Sequence, residues 1–190
     1  PIWLAASTRE GEEALILDAF ARIGRPGALL LLVPRHPQRF AEVAAMVQER
    51  GLVLCRRSEG HLPSDETRVW LGDSMGEMPA YFTVADLALI GGTLLPFGGQ
   101  NLIEAAACGC PILVGPHTYN FAQATEDALA SGAALRVADA EGAAAEAERL
   151  LKDTETLDAM RQAATAFSQA HRGATTRTLA LIQKIMAARQ

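Results

Sequence analysis

Two stretches of this chain set chemically capable side chains directly behind apolar runs. In Pro34-Arg35-His36-Pro37-Gln38-Arg39-Phe40, an arginine and a histidine follow the run Leu29–Val33 at once. Two prolines fix that turn, and Pro37 suits the first turn of a following helix. A guanidinium held there can grip a phosphate in bidentate fashion. The second stretch is Gly91-Gly92-Thr93-Leu94-Leu95-Pro96-Phe97-Gly98-Gly99-Gln100-Asn101-Leu102-Ile103-Glu104, between the apolar run Ala85–Ile90 and an alanine-rich segment. Its two glycine pairs let the backbone approach a ligand closely. Asn101 and Glu104 then stand at a helix start, where free N–H groups and the helix dipole favour negative charge. Such a strand–glycine loop–helix junction is where open α/β sheets hold phosphorylated ligands.

Four helix starts share one pattern. Ser7…Glu10, Ser74…Glu77, Asn101…Glu104 and Asn120…Gln123 each place a capping side chain three residues before Glu or Gln, the spacing of a capping box. Each pair alone reads as a helix cap at least as well as a ligand contact. Together, polar helix N-termini following successive strands converge along one edge of a parallel sheet, where its ligand crevice lies. Gly115-Pro116-His117-Thr118-Tyr119-Asn120-Phe121 also follows an apolar strand signal. His117 can contact a sugar or phosphate there, or simply bond to a neighbouring loop.

The elements that must position these residues alternate along the chain. Strands are expected near Ile2–Ala6, Ala28–Val33, Leu52–Arg56, Arg68–Leu71, Leu87–Ile90, Ile112–Val114 and Ala134–Val137. Their continuous apolar character, without period-two alternation, predicts strands covered on both faces, as in a parallel sheet. Helices fit between them at Glu12–Ile23, Pro37–Glu49, Glu77–Val84, Asn101–Cys108, Phe121–Ala130 and Glu141–Lys152. A final helical region spans about Thr154–Ala188, with Leu157, Met160, Ala164 and Phe167 at helical spacing. Leu181, Ile182, Ile185 and Met186 continue it after a break near Gly173. The expectation is a doubly wound α/β fold with a parallel sheet, closed by C-terminal helices, in one domain over residues 1–190.

Composition narrows the function classes. A 190-residue chain with 49% hydrophobic and 21% charged residues and a net charge of −5 fits a soluble globular protein, not a nucleic-acid binder. Local charge differs, because Arg9, Arg35, His36 and Arg39 fall near strand ends. Cys55, Cys108 and Cys110 form no disulfide framework and no zinc pair, and read as buried small hydrophobes. No Gly-x-Gly-x-x-Gly opens the first helix, and no P-loop, nucleophile elbow or His-Glu-x-x-His site is present. Neither a cofactor nor a metal is expected. No apolar run reaches the roughly 20 residues needed to span a bilayer, and no signal peptide is seen. The chain opens directly in strand-like sequence at Pro1-Ile2-Trp3-Leu4 without Met, and reads as one domain of a longer protein.

Five motifs occur in a telling order: Ala6-Ser7-Thr8-Arg9-Glu10-Gly11-Glu12-Glu13, Pro34-Arg35-His36-Pro37, Asp73-Ser74-Met75-Gly76-Glu77-Met78, the Gly91–Glu104 stretch, and Gly115–Phe121. In that order and spacing the chain resembles the C-terminal half of the 3-deoxy-D-manno-octulosonic acid (Kdo) transferases along essentially its whole length. The resemblance implies the Rossmann-like C-terminal domain of a two-domain GT-B glycosyltransferase, binding CMP-Kdo. It further implies inverting, metal-independent transfer of Kdo to a lipid A precursor at the cytoplasmic face of the bacterial inner membrane. The acceptor site, the catalytic carboxylate and membrane association would belong to an N-terminal half absent from this chain. Many relatives have His where this chain has Arg9, His where it has Gln100, and Pro where it has Leu102.

On that resemblance, Arg35 with the Ser7–Gly11 helix start (Ser7, Thr8, Arg9 and Gly11) would hold the phosphate, with His36 alongside. Asn101 and Glu104 would bond to the ribose or the donor sugar. Gly76, Glu77 and Met78 would lie near the cytosine, Gly98 and Gly99 would leave room for the sugar, and His117 and Asn120 would stand at the rim. No residue here looks like the general base. Glu10, Glu12 and Glu13 read as helix-start acids complementing the dipole. The fragment, itself soluble, is expected to bind CMP weakly and to transfer nothing alone. Two other readings stay open: the donor domain of a GT-B enzyme using a UDP-sugar, and a non-catalytic nucleotide-binding domain whose helix starts are only caps.

Overall fold

Strands and helices alternate in the order expected. The computed structural model describes residues 1–23 and 27–171, together with 179, 182 and 186. In chain order the elements are β1 (Ile2–Thr8), α1 (Glu12–Phe20), β2 (Leu29–Pro34), α2 (Phe40–Glu49) after a 3-10 turn at Pro37–Arg39, β3 (Leu54–Arg56), β4 (Val69–Leu71), α3 (Met78–Val84), β5 (Leu87–Ile90), α4 (Ile103–Ala107), β6 (Ile112–Val114), α5 (Ala122–Ala130), β7 (Ala134–Arg136), α6 (Ala140–Leu150) and α7 (Thr154–His171).

The strands form one parallel sheet in the order β3-β4-β2-β1-β5-β6-β7. The chain builds outward from β1 on one side, then crosses to lay down β5, β6 and β7 on the other. The C-terminal ends of β1 and β5 therefore flank the point where winding reverses, the place where such sheets bind ligands.

Alternate residues of each central strand feed opposite cores. Trp3 and Ala5 of β1, Leu30 and Leu32 of β2, and Leu87 and Leu89 of β5 pack with residues of α1, α2 and α6. Leu4 and Ala6, Leu31 and Val33, and Ala88 and Ile90 pack with residues of α3, α4 and α5. Coverage on both faces is why these strands read as unbroken apolar runs. Burying each such large side chain is worth about 1.5–3 kcal/mol.

Helix α7 joins the two cores. Its Leu157 and Met160 belong to one, and its Ala164 and Phe167 to the other. Between them Arg161 pairs at 3.0 Å with Asp86, just before β5, so the helix crosses at the strands' N-terminal edge. The expected break near Gly173, and Leu181 and Ile185, lie outside the described residues. Ile182 and Met186 are helical but exposed.

The capping boxes are not formed as expected. No side-chain cap closes α1, α3 or α5, because Ser74 and Asn120 bond elsewhere and Gly11 occupies the cap position of α1. Asn101 accepts the amide of Ile103 at 3.0 Å, capping α4 from one residue further upstream than the assigned cap, Leu102. A capping side chain the sequence reading passed over is Asp139, which accepts the Gly142 amide at 2.8 Å at the start of α6.

Candidate ligand-binding site

A cavity of about 420 Å³ opens where β1 and β5 end, within the roughly 300–1,000 Å³ range of small-molecule sites. Ala6 and Ser7 of β1 and Ile90 of β5 form its floor. Arg35 follows β2, Met75 and Gly76 follow β4, and Met78, Pro79 and Phe82 come from α3. Gln100, Asn101 and Glu104 close the remaining wall. Of the residues singled out in the sequence, Ser7, Arg35, Gly76, Met78, Asn101 and Glu104 thus line one cavity together.

The floor is locally strained. β1 shifts register between Ala6 and Thr8, and Ser7 takes φ 56°, a left-handed conformation unusual for serine. There β1 crosses so close to Gly91 that a Cβ at position 91 would collide with the Ser7 carbonyl. Such strain persists only where the surroundings over-determine it.

Those surroundings are two buried acids. The Glu12 carboxylate accepts the backbone amides of Arg9 at 2.9 Å, Gly92 at 2.6 Å and Leu94 at 3.0 Å. It therefore ties the turn before α1 to the loop after β5. Glu13 accepts the Thr8 hydroxyl at 3.0 Å and Arg39 at 3.2 Å. Burial pushes the Glu13 carboxyl above its ordinary value, against the lowering influence of a backbone hydrogen bond and of Arg39. Both acids are fully buried, so they are not merely surface complements to the helix dipole. Thr8, expected among the ligand contacts, is fully buried too and spends its hydroxyl on Glu13.

The loop after β4 is anchored from beneath. Asp73 accepts Arg56 Nε at 2.8 Å, the Ser58 amide at 2.8 Å and the Ser58 hydroxyl at 2.6 Å. Glu77 accepts hydrogen bonds from Ser74, from Tyr81 at 3.1 Å and from Arg57 at 2.8 Å. The Ser74 bond foremost, with Arg57 and Tyr81, holds the Glu77 carboxyl below its ordinary value. Glu77 borders a recess of about 40 Å³ beside the main cavity. Its committed carboxylate makes it a brace for Gly76 and Met78. Met78, Pro79, Phe82 and Ile90 offer the apolar share of the wall.

Polar capacity lies opposite. Asn101 Nδ2 donates to Glu104 Oε1 at 3.1 Å, presenting an amide and an exposed carboxylate side by side. Arg35 is exposed and has no carboxylate partner among the described residues, while its amide donates to the Thr8 carbonyl at 3.0 Å. His36 is exposed as well but stands off the cavity wall.

Several other residues expected at the site make contacts within the scaffold. A Cβ at Gly98 would run into the Tyr119 and Asn120 side chains, and one at Gly99 would press on Thr93 at 3.1 Å. These glycines make room for neighbouring protein side chains. Tyr119 donates to the Pro96 carbonyl at 2.6 Å, and Asn120 to those of Phe97 at 3.0 Å and Gly99 at 3.4 Å, stapling the loop after β6 over the loop after β5. His117 is half-buried and its amide donates to Thr93 at 2.9 Å. Gly11 is exposed before α1, outside the cavity wall. Arg9 is half-buried, with its guanidinium 4.7 Å from the Phe97 ring centre. Among the described residues no group of acids, histidines and cysteines could hold a metal, and no helix is long and apolar enough to cross a membrane.

Comparison with known proteins is consistent with this arrangement. The family described as glycosyl transferases group 1 matches residues 14–167. A 3-deoxy-D-manno-octulosonic acid transferase of Bordetella pertussis is 50% identical over 185 residues, covering 94% of this chain and 43% of the relative. Its counterpart in Haemophilus influenzae is 39% identical over 96% of this chain and 44% of its own length. The chain thus spans less than half the length of these relatives. The crystal structure of the C-terminal CMP-Kdo binding domain of WaaA from Acinetobacter baumannii superimposes with a TM-score of 0.85 at 32% identity, covering 88% of this chain and 89% of that one. At 16% identity, an Anabaena HepE structure with UDP and glucose shares the fold, with a TM-score of 0.70.

Proposed function

The chain belongs to the group 1 glycosyl transferases and, within them, to the Kdo transferase family, and on that premise we propose that residues 1–190 form the donor-binding domain of an enzyme that transfers Kdo from CMP-Kdo to a lipid A precursor. One observation carries the reading. A single cavity brings together an unneutralised cation, Arg35, an amide–carboxylate pair, Asn101 and Glu104, and an apolar wall around Met78. Those are the complements of a phosphate, of sugar hydroxyls and of a base.

In this mechanism Arg35 and the polar turn at Ser7 stabilise the charge that grows on the departing CMP phosphate. The Glu104 carboxylate accepts from hydroxyl groups, and Met78 and Phe82 pack against the base. Transfer is inverting and metal-independent, with charge neutralised by side chains and backbone amides. The general base and the lipid acceptor site belong to the other half of the enzyme, which also meets the cytoplasmic face of the inner membrane.

Titrating the chain with CMP, UMP and AMP while following backbone amide resonances tests this. CMP should bind most tightly, with shifts concentrated at Ser7, Arg35, Gly76 and Asn101. A preference for UMP would replace the cytidine donor with a UDP-sugar. No saturable shift with any nucleotide would leave only a structural role for these helix starts. Kdo transfer by this chain alone would overturn the division of labour between halves.

A further inference from the structure

We propose that Arg9, seated on Phe97 beside Gln100, is the specificity contact for the carboxylate of the donor sugar, while Arg35 serves the phosphate. The inference rests on the reading of the cavity as a CMP-Kdo site. An octulosonic acid donor differs from ordinary sugar nucleotides in carrying a second anion, and in a 2-ulosonic acid that carboxylate is bonded to the same carbon that bears the phosphate. A site for it needs a second cation close to the first.

The two arginines share an anchor. The Arg35 amide donates to the Thr8 carbonyl at 3.0 Å, and the other end of that same peptide bond is the Arg9 amide, which donates to buried Glu12 at 2.9 Å. The backbones of both arginines are therefore anchored at a single fixed peptide. Among the described residues both also lack a carboxylate partner, which sets them apart from the arginines around them. Arg39 is met by Glu13 and Glu42, Arg56 by Asp73, Arg57 by Glu77 and Arg136 by Glu126. Arg68 also lacks such a partner among the described residues, but it precedes β4 at the opposite edge and packs on Phe20.

Arg9 is also seated. Its guanidinium lies 4.7 Å from the centre of the Phe97 ring, a cation–π contact that leaves its N–H groups without a carboxylate partner among the described residues. Above Gly92 the Arg9 stem, Phe97 and the Gln100 amide converge. A Cβ built on Gly92 would sit 3.5, 3.4 and 3.4 Å from them. Gln100 in turn forms part of the cavity wall. Gln100 thus joins the seat of Arg9 to the cavity wall, and the proposed carboxylate contact lies at that junction.

Calorimetric titration of the chain and its Arg9→Ala, Arg9→Gln and Arg35→Ala variants with CMP and with CMP-Kdo tests the assignment. The unaltered chain should bind CMP-Kdo at least tenfold more tightly than CMP. Both Arg9 variants should lose that tenfold advantage, about 1.4 kcal/mol, and bind CMP within twofold of the unaltered chain. Arg35→Ala should weaken both ligands. Equal weakening of both ligands by Arg9→Ala, or of neither, would overturn the assignment, as would an unaltered chain that binds the two alike. In those cases CMP binding would still support the nucleotide site. Failure of the unaltered chain to bind either ligand would sink the reading of the cavity itself.

Discussion

The Glu12 carboxylate accepts the Gly92 amide at 2.6 Å across 80 positions of sequence. With the amides of Leu94 and Arg9 it forms one buried, charge-assisted clasp between the two loops that floor the cavity. A glutamine keeps the size but turns an N–H₂ group toward amide donors. Glu12→Gln should therefore cost about 1–3 kcal/mol, the penalty for buried donors left unmet. Thermal unfolding should show a loss of roughly 2–10 °C, and CMP affinity should fall with it. An unchanged melting temperature would show that the loops hold without the clasp.

Gly98 has φ +86°, and a side chain there would overlap Tyr119 and Asn120. Gly98→Ala should displace the staple between the loops after β5 and β6 and cost about 1–3 kcal/mol by backbone strain and lost contacts. Asn120→Ala removes the staple without strain and should cost about 1 kcal/mol. Chemical denaturation distinguishes the two, Gly98→Ala being the more severe. Equal losses would place the whole effect in the hydrogen bonds.

How the sequence spoke differs from element to element. All the strands were legible, because a strand covered on both faces must be apolar throughout, as Leu29–Val33 and Leu87–Ile90 are. Arg35 stood out because it follows such a strand at once, and Asn101 and Glu104 because they close the glycine-rich loop after another and open a helix. Thr8, Glu77, Gly98, Gly99 and Asn120, expected beside the ligand, make close contacts within the scaffold. Their spacing fits a helix cap or a ligand loop equally well, and only distant partners such as Arg57 or Tyr119 decide which bonds form. Glu12 and Glu13 left a fainter signal. They stand four residues before Ile16 and Leu17, which are fully buried in α1, while apolar Leu15 is exposed. Acids on the buried stripe of a helix must be paired, and that pattern could have revealed them.

Acid stability should report on Asp73. Burial favours its neutral form, but the Ser58 hydroxyl and amide and the Arg56 guanidinium outweigh that and hold the carboxyl below its ordinary 3.8. With the folded value below the unfolded one, its stabilisation is present at neutral pH and is lost as pH falls through the folded value. Glu13 runs oppositely: burial raises its carboxyl, so its contribution is present in acid and is lost as pH rises. Asp73→Asn should lower the melting temperature at pH 7 and narrow the gap to the unaltered chain below roughly pH 4. A gap constant with pH would deny Asp73 any linked proton.

Arg35 and His36 are adjacent and both exposed, yet only Arg35 lines the cavity. Neither side chain has a carboxylate partner among the described residues, so truncating either should leave folding stability within about 0.5 kcal/mol. A charge-assisted hydrogen bond to an anion is worth about 1.5–3 kcal/mol, so Arg35→Ala should weaken CMP binding by roughly ten- to a hundredfold. Arg35→Lys should recover part of that, since an ammonium keeps the charge without the bidentate fork. His36→Ala should remain within twofold. Raising the salt concentration should reduce CMP affinity in the unaltered chain and in His36→Ala, and much less in Arg35→Ala, whose contribution to the field is gone. Calorimetry at two ionic strengths makes the measurement. Equal losses for the two alanine variants would mean that the turn as a whole, not the Arg35 guanidinium, holds the phosphate.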